Sequence, residues 1–329
     1  MRDEEKNMKR FAITCCGLML AGLCQTGMAQ SYPARPIRII VPFPAGGIAD
    51  LFGRVIGQKF TEAWGQPAVV ENRPGAGGNI GAELVAKSAP DGYTLVTGSI
   101  GTHAVNVSLF SKLAYDPIRD FVPVALIMEA EGLLVLHPSV PARTVKELIA
   151  LAKARPGQIA YASAGHGTAS HLSGELFKSM AKVDMVHVPY KGNVPALTDL
   201  MSGQTSLLFA TMPTALPHVQ SGRLKALAVA STARSPAAPQ LPTIAEAALP
   251  GYSVTNWIGF FAPAGTPRDV VLKLNGEVVR VMQAPDIEKR LASLGAKFSP
   301  WSPDEFSAFV KAEIAKWAKI VKEAGIRVD

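Results

Sequence analysis

Cysteine is nearly missing from this chain: Cys15, Cys16 and Cys24 are its three copies, and all precede residue 25. The remainder offers no disulfide framework, no thiol nucleophile and no thiolate metal ligand. Aromatic residues make up only 7% of the sequence. The basic excess is real, with a net charge of +7, but no four Lys or Arg stand together. A nucleic-acid surface needs clustered charge with aromatics between, so no nucleic-acid partner is expected. The scattered excess gives at most weak steering of anions.

Several motifs are absent as well. HExxH and GxxxxGK[ST] do not occur, and the GxGxxG begun by Gly75 and Gly77 has Ile80 in its third glycine position. Phosphate loops and dinucleotide turns of known pattern are thereby unsupported. Thr97-Gly98-Ser99-Ile100-Gly101 misses the nucleophile elbow by its first glycine, so Ser99 reads as a hydrogen-bonding loop residue. The histidines are His103, His137, His166, His171, His187 and His218. His166 and His171 stand five apart, off a shared helix face, so each reads as structural or hydrogen-bonding. Neither metal nor cofactor is expected. Beyond the N-terminal segment no run of 18 apolar residues exists, so the mature protein is expected to be soluble.

That N-terminal segment reads as a signal peptide. Lys9 and Arg10 precede an apolar run over residues 11–23, and Gly27-Met28-Ala29 gives a small-x-small cleavage site. Cleavage after Ala29 removes four basic and three acidic residues, leaving a net charge of +6. Met8 is an alternative start.

What the mature chain does have is a repeated device: an apolar run, a loop of Gly, Ser or Pro, then a helical period. The clearest instance is Val41-Pro42-Phe43-Pro44-Ala45-Gly46-Gly47-Ile48-Ala49-Asp50, between a strand over residues 37–41 and a helix carrying Leu51, Phe52, Val55, Ile56 and Phe60. Asp50 is placed to cap that helix. Strands at 68–71 and 93–97 follow, then two strand-like runs at 122–128 and 133–136, separated by Glu129, Glu131 and Gly132. Further strands read at 159–162, 186–188, 206–210, 224–230 and 252–261, with helices at 267–283, 285–294 and 303–323. The βαβαβ order predicts parallel, helix-covered sheet in two α/β lobes that face each other across a cleft. Ligands of such sheets sit beyond the carboxyl ends of the strands. That places residues 43–47, 98–102, 163–170 and 210–211 around one site. Hydroxyls, glycine-exposed N–H groups and helix starts there can hold a carboxylate without a buried Lys or Arg.

The order and spacing of these motifs carry a resemblance. YPARPIRIIVPFPAGG with Asp50, ENRPGAGGNIGAELVAKSAPDGYTL from Glu71, YASAGHGTASHLSGELF from Tyr161, HVPYKGNVPALTDLMSGQ from His187, SGRLKALAVAS from Ser221 and FFAPAGTP from Phe260 span essentially the whole mature chain. It resembles the periplasmic solute-binding proteins of the tripartite tricarboxylate transporter system, the TctC-like, Bug-type receptors. The resemblance implies a two-lobed, type II-like Venus-flytrap fold: lobe 1 from residues 30–131 plus 254–329, and lobe 2 from 132–253. It implies a periplasmic receptor without catalysis, expected as a monomer, that passes a small mono-, di- or tricarboxylate to integral-membrane permease subunits. Its implied ligand contacts are Phe43, Gly46, Gly47, Ser99, Thr102, Ser163, Gly165, Thr168 and His171. Ala210 stands where the family carries an acidic or polar residue, which weighs against an amino-acid ligand, and Ile48-Ala49 replace the usual small polar pair. The alternatives are a sensory binding protein signalling to a membrane kinase and a hydrolase using Ser99.

Overall fold

The computed structural model describes residues 32–293 and 295–323; the expected signal peptide lies outside them. In chain order the first elements are β1 (Ile37–Val41), α1 (Ile48–Trp64), β2 (Ala68–Asn72), α2 (Asn79–Ala86), β3 (Thr94–Ser99), α3 (Asn106–Leu109) and β4 (Phe121–Leu136). Then come α4 (Val145–Ala154), β5 (Ala160–Ser163), α5 (Ala169–Ala181), β6 (Val186–Pro189), α6 (Asn193–Met201), β7 (Leu207–Thr211), α7 (Met212–Gln220), β8 (Lys225–Val229) and α8 (Ile244–Ala247). The chain closes with β9 (Thr255–Pro263), α9 (Arg268–Met282), α10 (Pro285–Ser293), β10 (Ala296–Lys297) and α11 (Pro303–Glu323).

Local sequence explains the first unit. Ile48, Phe52, Ile56 and Phe60 recur every four residues and form one buried stripe of α1. Gly53 and Gly57 share that stripe because the helix lies close on β1: a Cβ at Gly57 would stand 3.3 Å from the Ile39 side chain. Gly65, with φ of 69°, ends the helix in the left-handed region that its missing Cβ permits. Asp50 is not the N-cap. Gly47 holds that position, and Asp50 in the first turn reaches back to accept the Gly46 N–H at 3.0 Å. Burial alone would raise the Asp50 carboxyl, but bonds from Arg54, the Gly46 N–H and Asn72 outweigh it and hold the pKa below the usual range.

The parallel pairs β2–β1–β3 and β6–β5–β7 agree with the βαβ pattern. Two antiparallel strands between them do not follow from that pattern. β9 inserts between β3 and β4, and β4 is one continuous strand of 16 residues where sequence predicts two. Glu129 does not break it, because its side chain pairs with Lys297 of β10 at 3.2 Å. β4 changes partners part-way. From Phe121 to Glu131 it pairs with β9, and from Gly132 to Leu136 with β7 on one side, with β8 on the other from Leu133. One strand therefore belongs to both sheets of a two-lobed fold, and their inner edges meet at Gly132. The C-terminal helix returns to the first sheet, where buried Glu313 accepts the indole N–H groups of Trp257 (3.2 Å) and Trp317 (3.1 Å). Each bulky ring thus buries its apolar body while its polar tip stays satisfied.

Candidate functional site

The strand ends converge on a cleft with about 770 Å³ of space, its solvent-open mouth included. Phe43, Pro44, Gly47, Ile48 and Ala49 enter from the β1–α1 loop and Ser99 from the end of β3. Across from them stand Ala164, Thr168, Ala169, Ser170 and Ser173 around the start of α5, then Gly192, Asn193 and Val194 at the start of α6, and Phe209, Ala210 and Thr211 at the end of β7. Gly132 of β4, Val254 just before the return strand β9, and Asn256 and Ile258 within it complete the lining. No Lys, Arg, Asp or Glu is among the described residues that line it.

Positive potential comes from the backbone instead. The N-caps of α1, α5, α6 and α7 are Gly47, Thr168, Gly192 and Thr211, and all four line the cleft. None of the four makes a side-chain cap bond. Thr168 spends its hydroxyl on the Gly165 carbonyl at 2.6 Å, and the Thr211 hydroxyl meets Thr214 Oγ1 at 3.0 Å. Four helix N-termini, each the positive end of a helix dipole, therefore border one cavity, although at α7 Pro213 removes one first-turn donor.

The two halves touch where side chains are missing. A Cβ on Gly77 would stand 2.0 Å from the His166 carbonyl oxygen, and one on Gly101 would stand 2.6 Å from that of Gly167. Gly192 approaches Pro44 in the same way, with 2.8 Å left for a Cβ. These contacts close the cleft between the β1–β3 loops and the loops after β5 and β6.

Of the residues expected at the site, Phe43, Gly47, Ser99, Thr168 and Ala210 line the cleft. Gly46 faces a neighbouring groove with Leu51, Leu197 and Met201. Thr102, Ser163, Gly165 and His171 stand behind the lining and build it. The fully buried Thr102 accepts the Ser99 N–H at 3.0 Å and meets His103 Nδ1 at 2.8 Å. Ser163 Oγ accepts the Gly165 N–H at 3.1 Å and contacts His187 Nε2 at 2.6 Å. His171 Nδ1 accepts the Gly167 N–H at 3.2 Å. Ser99 Oγ itself finds Thr102 Oγ1 at 3.4 Å, while His103 is turned to Thr102 and stacked on Phe261 at a ring separation of 3.8 Å. Burial holds the His103 pKa at about 3. Ser99 thus has no base in hydrogen-bond reach among the described residues.

Residues 52–326 match the tripartite tricarboxylate transporter family receptor, TctC. The chain belongs to that family. Three solved structures agree. A protein of R. palustris, Rpa4515, described with adipate, is 39% identical and superposes with a TM-score of 0.87, over 90% of this chain and all of the other. The periplasmic binding protein BugD is 35% identical (TM-score 0.86), over 90% of this chain and all of its own. MatC from Rhodopseudomonas palustris, with bound malate, is 38% identical (TM-score 0.85), over 88% of this chain and all of its own. The receptor is a two-lobed solute-binding protein and not an enzyme.

Sequence reasoning passed over part of the receptor's cleft. Gly192 and Asn193 had a legible signal, since Gly-Asn opens a helix directly after a strand. Asn256 and Ile258 had none, because nothing local marks which face of the return strand turns to the cleft. The third imidazole near His166 and His171 was also hidden: His187 arrives from β6, 16 residues after His171.

Proposed function

We propose that the receptor captures a small organic carboxylate in the periplasm and delivers it to integral-membrane permease subunits. One observation carries this reading: four helix N-termini without side-chain caps surround one cavity that has no charged side chain in its described lining. Such a cavity is electrostatically prepared for an anion and holds its shape through backbone rather than long side chains. Related receptors described with adipate and malate support the same class. The first contacts are those of Phe43, Gly47, Ser99, Thr168 and Ala210, with Thr102, Ser163, Gly165 and His171 fixing the loops and Gly46 on the neighbouring groove.

The exchange of β4 partners between Glu131 and Gly132 supports reading residues 30–131 plus 254–329 as one lobe and 132–253 as the other. Ligand bridging these lobes favours the closed form by its contacts to both. Ala210 at the cleft, with no carboxylate among the lining residues, leaves a ligand ammonium without a counter-charge, so plain acids are preferred over amino acids.

A thermal-shift screen of organic acids tests the reading. An acid present at about 100 times its Kd raises stability by about 2.7 kcal/mol. Stabilisation by neutral compounds alone would remove the carboxylate assignment. A preference for aspartate or glutamate over succinate- or citrate-like acids would overturn the role given to Ala210.

A further inference from the structure

We propose a second site behind the cleft wall, in which His166, His171 and His187 hold a divalent first-row transition cation of the zinc class. His166 lies on the β5–α5 loop, His171 in the first turn of α5 and His187 on β6, and each brings a ring nitrogen within 4.8 Å of the others. None of the three lines the ligand cleft. The site therefore stands whether or not the cleft takes a carboxylate.

Ring spacing supports coordination. Two imidazoles on one tetrahedral zinc, at Zn–N of about 2.0–2.1 Å, place their ring centres roughly 5 Å apart. The His166 ring stands 5.4 Å from His171 and 5.0 Å from His187, edge-on to both. His171 and His187 are stacked at 4.2 Å, so this pair has to open by about 1 Å to share a metal.

The chemistry of the nitrogens points the same way. His166 Nδ1 is buried without a hydrogen-bond partner, an arrangement that a metal ion would satisfy. Ser163 Oγ occupies His187 Nε2 at 2.6 Å and orients the ring as an outer-shell partner, leaving Nδ1 for the ion. The 3.2 Å bond from the Gly167 N–H to His171 Nδ1 is the contact that the ion displaces. Glu175 is not a competitor, because Tyr161 and Lys178 hold its carboxylate. His166 and His187 are partly exposed, which gives a path in and leaves a fourth position for water.

The test uses the mature full-length protein, chelator-treated and free of any polyhistidine tag, titrated with Zn²⁺ alone by calorimetry. One ion per chain is expected, with a Kd of about 1 μM or tighter. His166→Gln and His187→Gln are each expected to weaken it at least about 10–100-fold, the loss that follows even from removing an outer-shell partner. His137→Gln, a histidine outside the cluster, leaves it unchanged. His166 sits on a partly exposed loop, so its variant remains informative where His187→Gln fails to fold. Absence of a saturable single site, binding only near the millimolar range, or full affinity in His166→Gln would overturn the proposal.

Discussion

The threonine-capped helices at the cleft and those away from it begin differently. At α4, Thr144 Oγ1 accepts the Glu147 N–H at 3.1 Å; at α8, Thr243 and Glu246 form a reciprocal capping box. At α5 and α7 the N-cap is also threonine, with the same extended backbone, yet neither hydroxyl accepts a backbone N–H of its helix. Residue type therefore does not decide whether a helix start is capped. What stands in front of it does. The peripheral starts at Thr144 and Thr243 are stabilised by their own side chains, whereas those at Thr168 and Thr211, on the cleft, leave their first-turn backbone without a side-chain cap.

The largest test of this contrast is Gly101→Ala. Gly101 has no left-handed backbone to strain, and its Cβ would stand 2.6 Å from the Gly167 carbonyl oxygen on the opposing loop, with Ser99 Oγ at an ordinary 3.6 Å. Closure should be blocked while each half stays folded. Carboxylate affinity is expected to fall about 100-fold, as for a binding-competent state reduced to about 1%. The unliganded melting temperature should correspond to a change within about 1 kcal/mol. Calorimetry and a melt on the same sample decide it, and undiminished affinity would mean that these contacts do not belong to the bound form.

Next in size is Asn193→Asp, at the first residue of α6 and on the cleft lining. A fixed negative charge there competes with the guest for the same helix start. Affinity for an organic acid should fall about tenfold, or about 1.4 kcal/mol, while the helix itself gains about 0.3–1 kcal/mol from a charge that suits its dipole. Opposite signs for binding and stability are the diagnostic result. An acid that binds Asn193→Asp as well as the parent would show that α6 does not face the anion.

The strand–loop–helix rhythm was legible because it is local: an apolar run, turn residues and a helical period lie within about 25 residues at β1–α1. The β4 strand was not, because whether Glu129 breaks it depends on Lys297, which arrives from the far end of the chain. The same distinction runs through the site. Phe43, Gly47 and Thr168 sit in loops whose composition announces them, and they line the cleft. Thr102, Ser163 and His171 have the right chemistry but face inward. The direction is set by Ser99, His187 and the Gly167 N–H, and no sequence period reports it. Asn256 is legible only after pairing of β9 with β4 is known.

The capped helices supply the converse prediction. Thr144→Ala and Thr243→Ala should each cost about 1 kcal/mol of stability through the loss of one side-chain cap. Carboxylate affinity should stay within about twofold of the parent, since neither residue lines the cleft. Loss of binding without loss of stability in either variant would break the division between the two kinds of helix start.

The smallest effect belongs to a charge cluster at the outer edge of the first sheet. Hydrogen bonds from Arg38 (2.8 Å) and Arg73 (3.0 Å) bring the Glu71 carboxyl down to a pKa of about 2 from the ordinary 4.5. A depressed carboxyl contributes stability that is fully present above its unfolded value and is lost as pH falls through the folded one. Arg38 and Arg73 are 44% and 53% exposed, so solvent and salt screen the pairs and their contribution stays below about 1 kcal/mol. Glu71→Gln should therefore melt slightly lower than the parent at neutral pH, and the gap should close as pH drops from 4.5 toward 2. Added salt should narrow it too, and affinity for the acid should not move, because Glu71 lies on the sheet edge and not on the lining. A melting difference that instead grows below pH 4.5 would mean that the carboxylate is repelled rather than held where it sits.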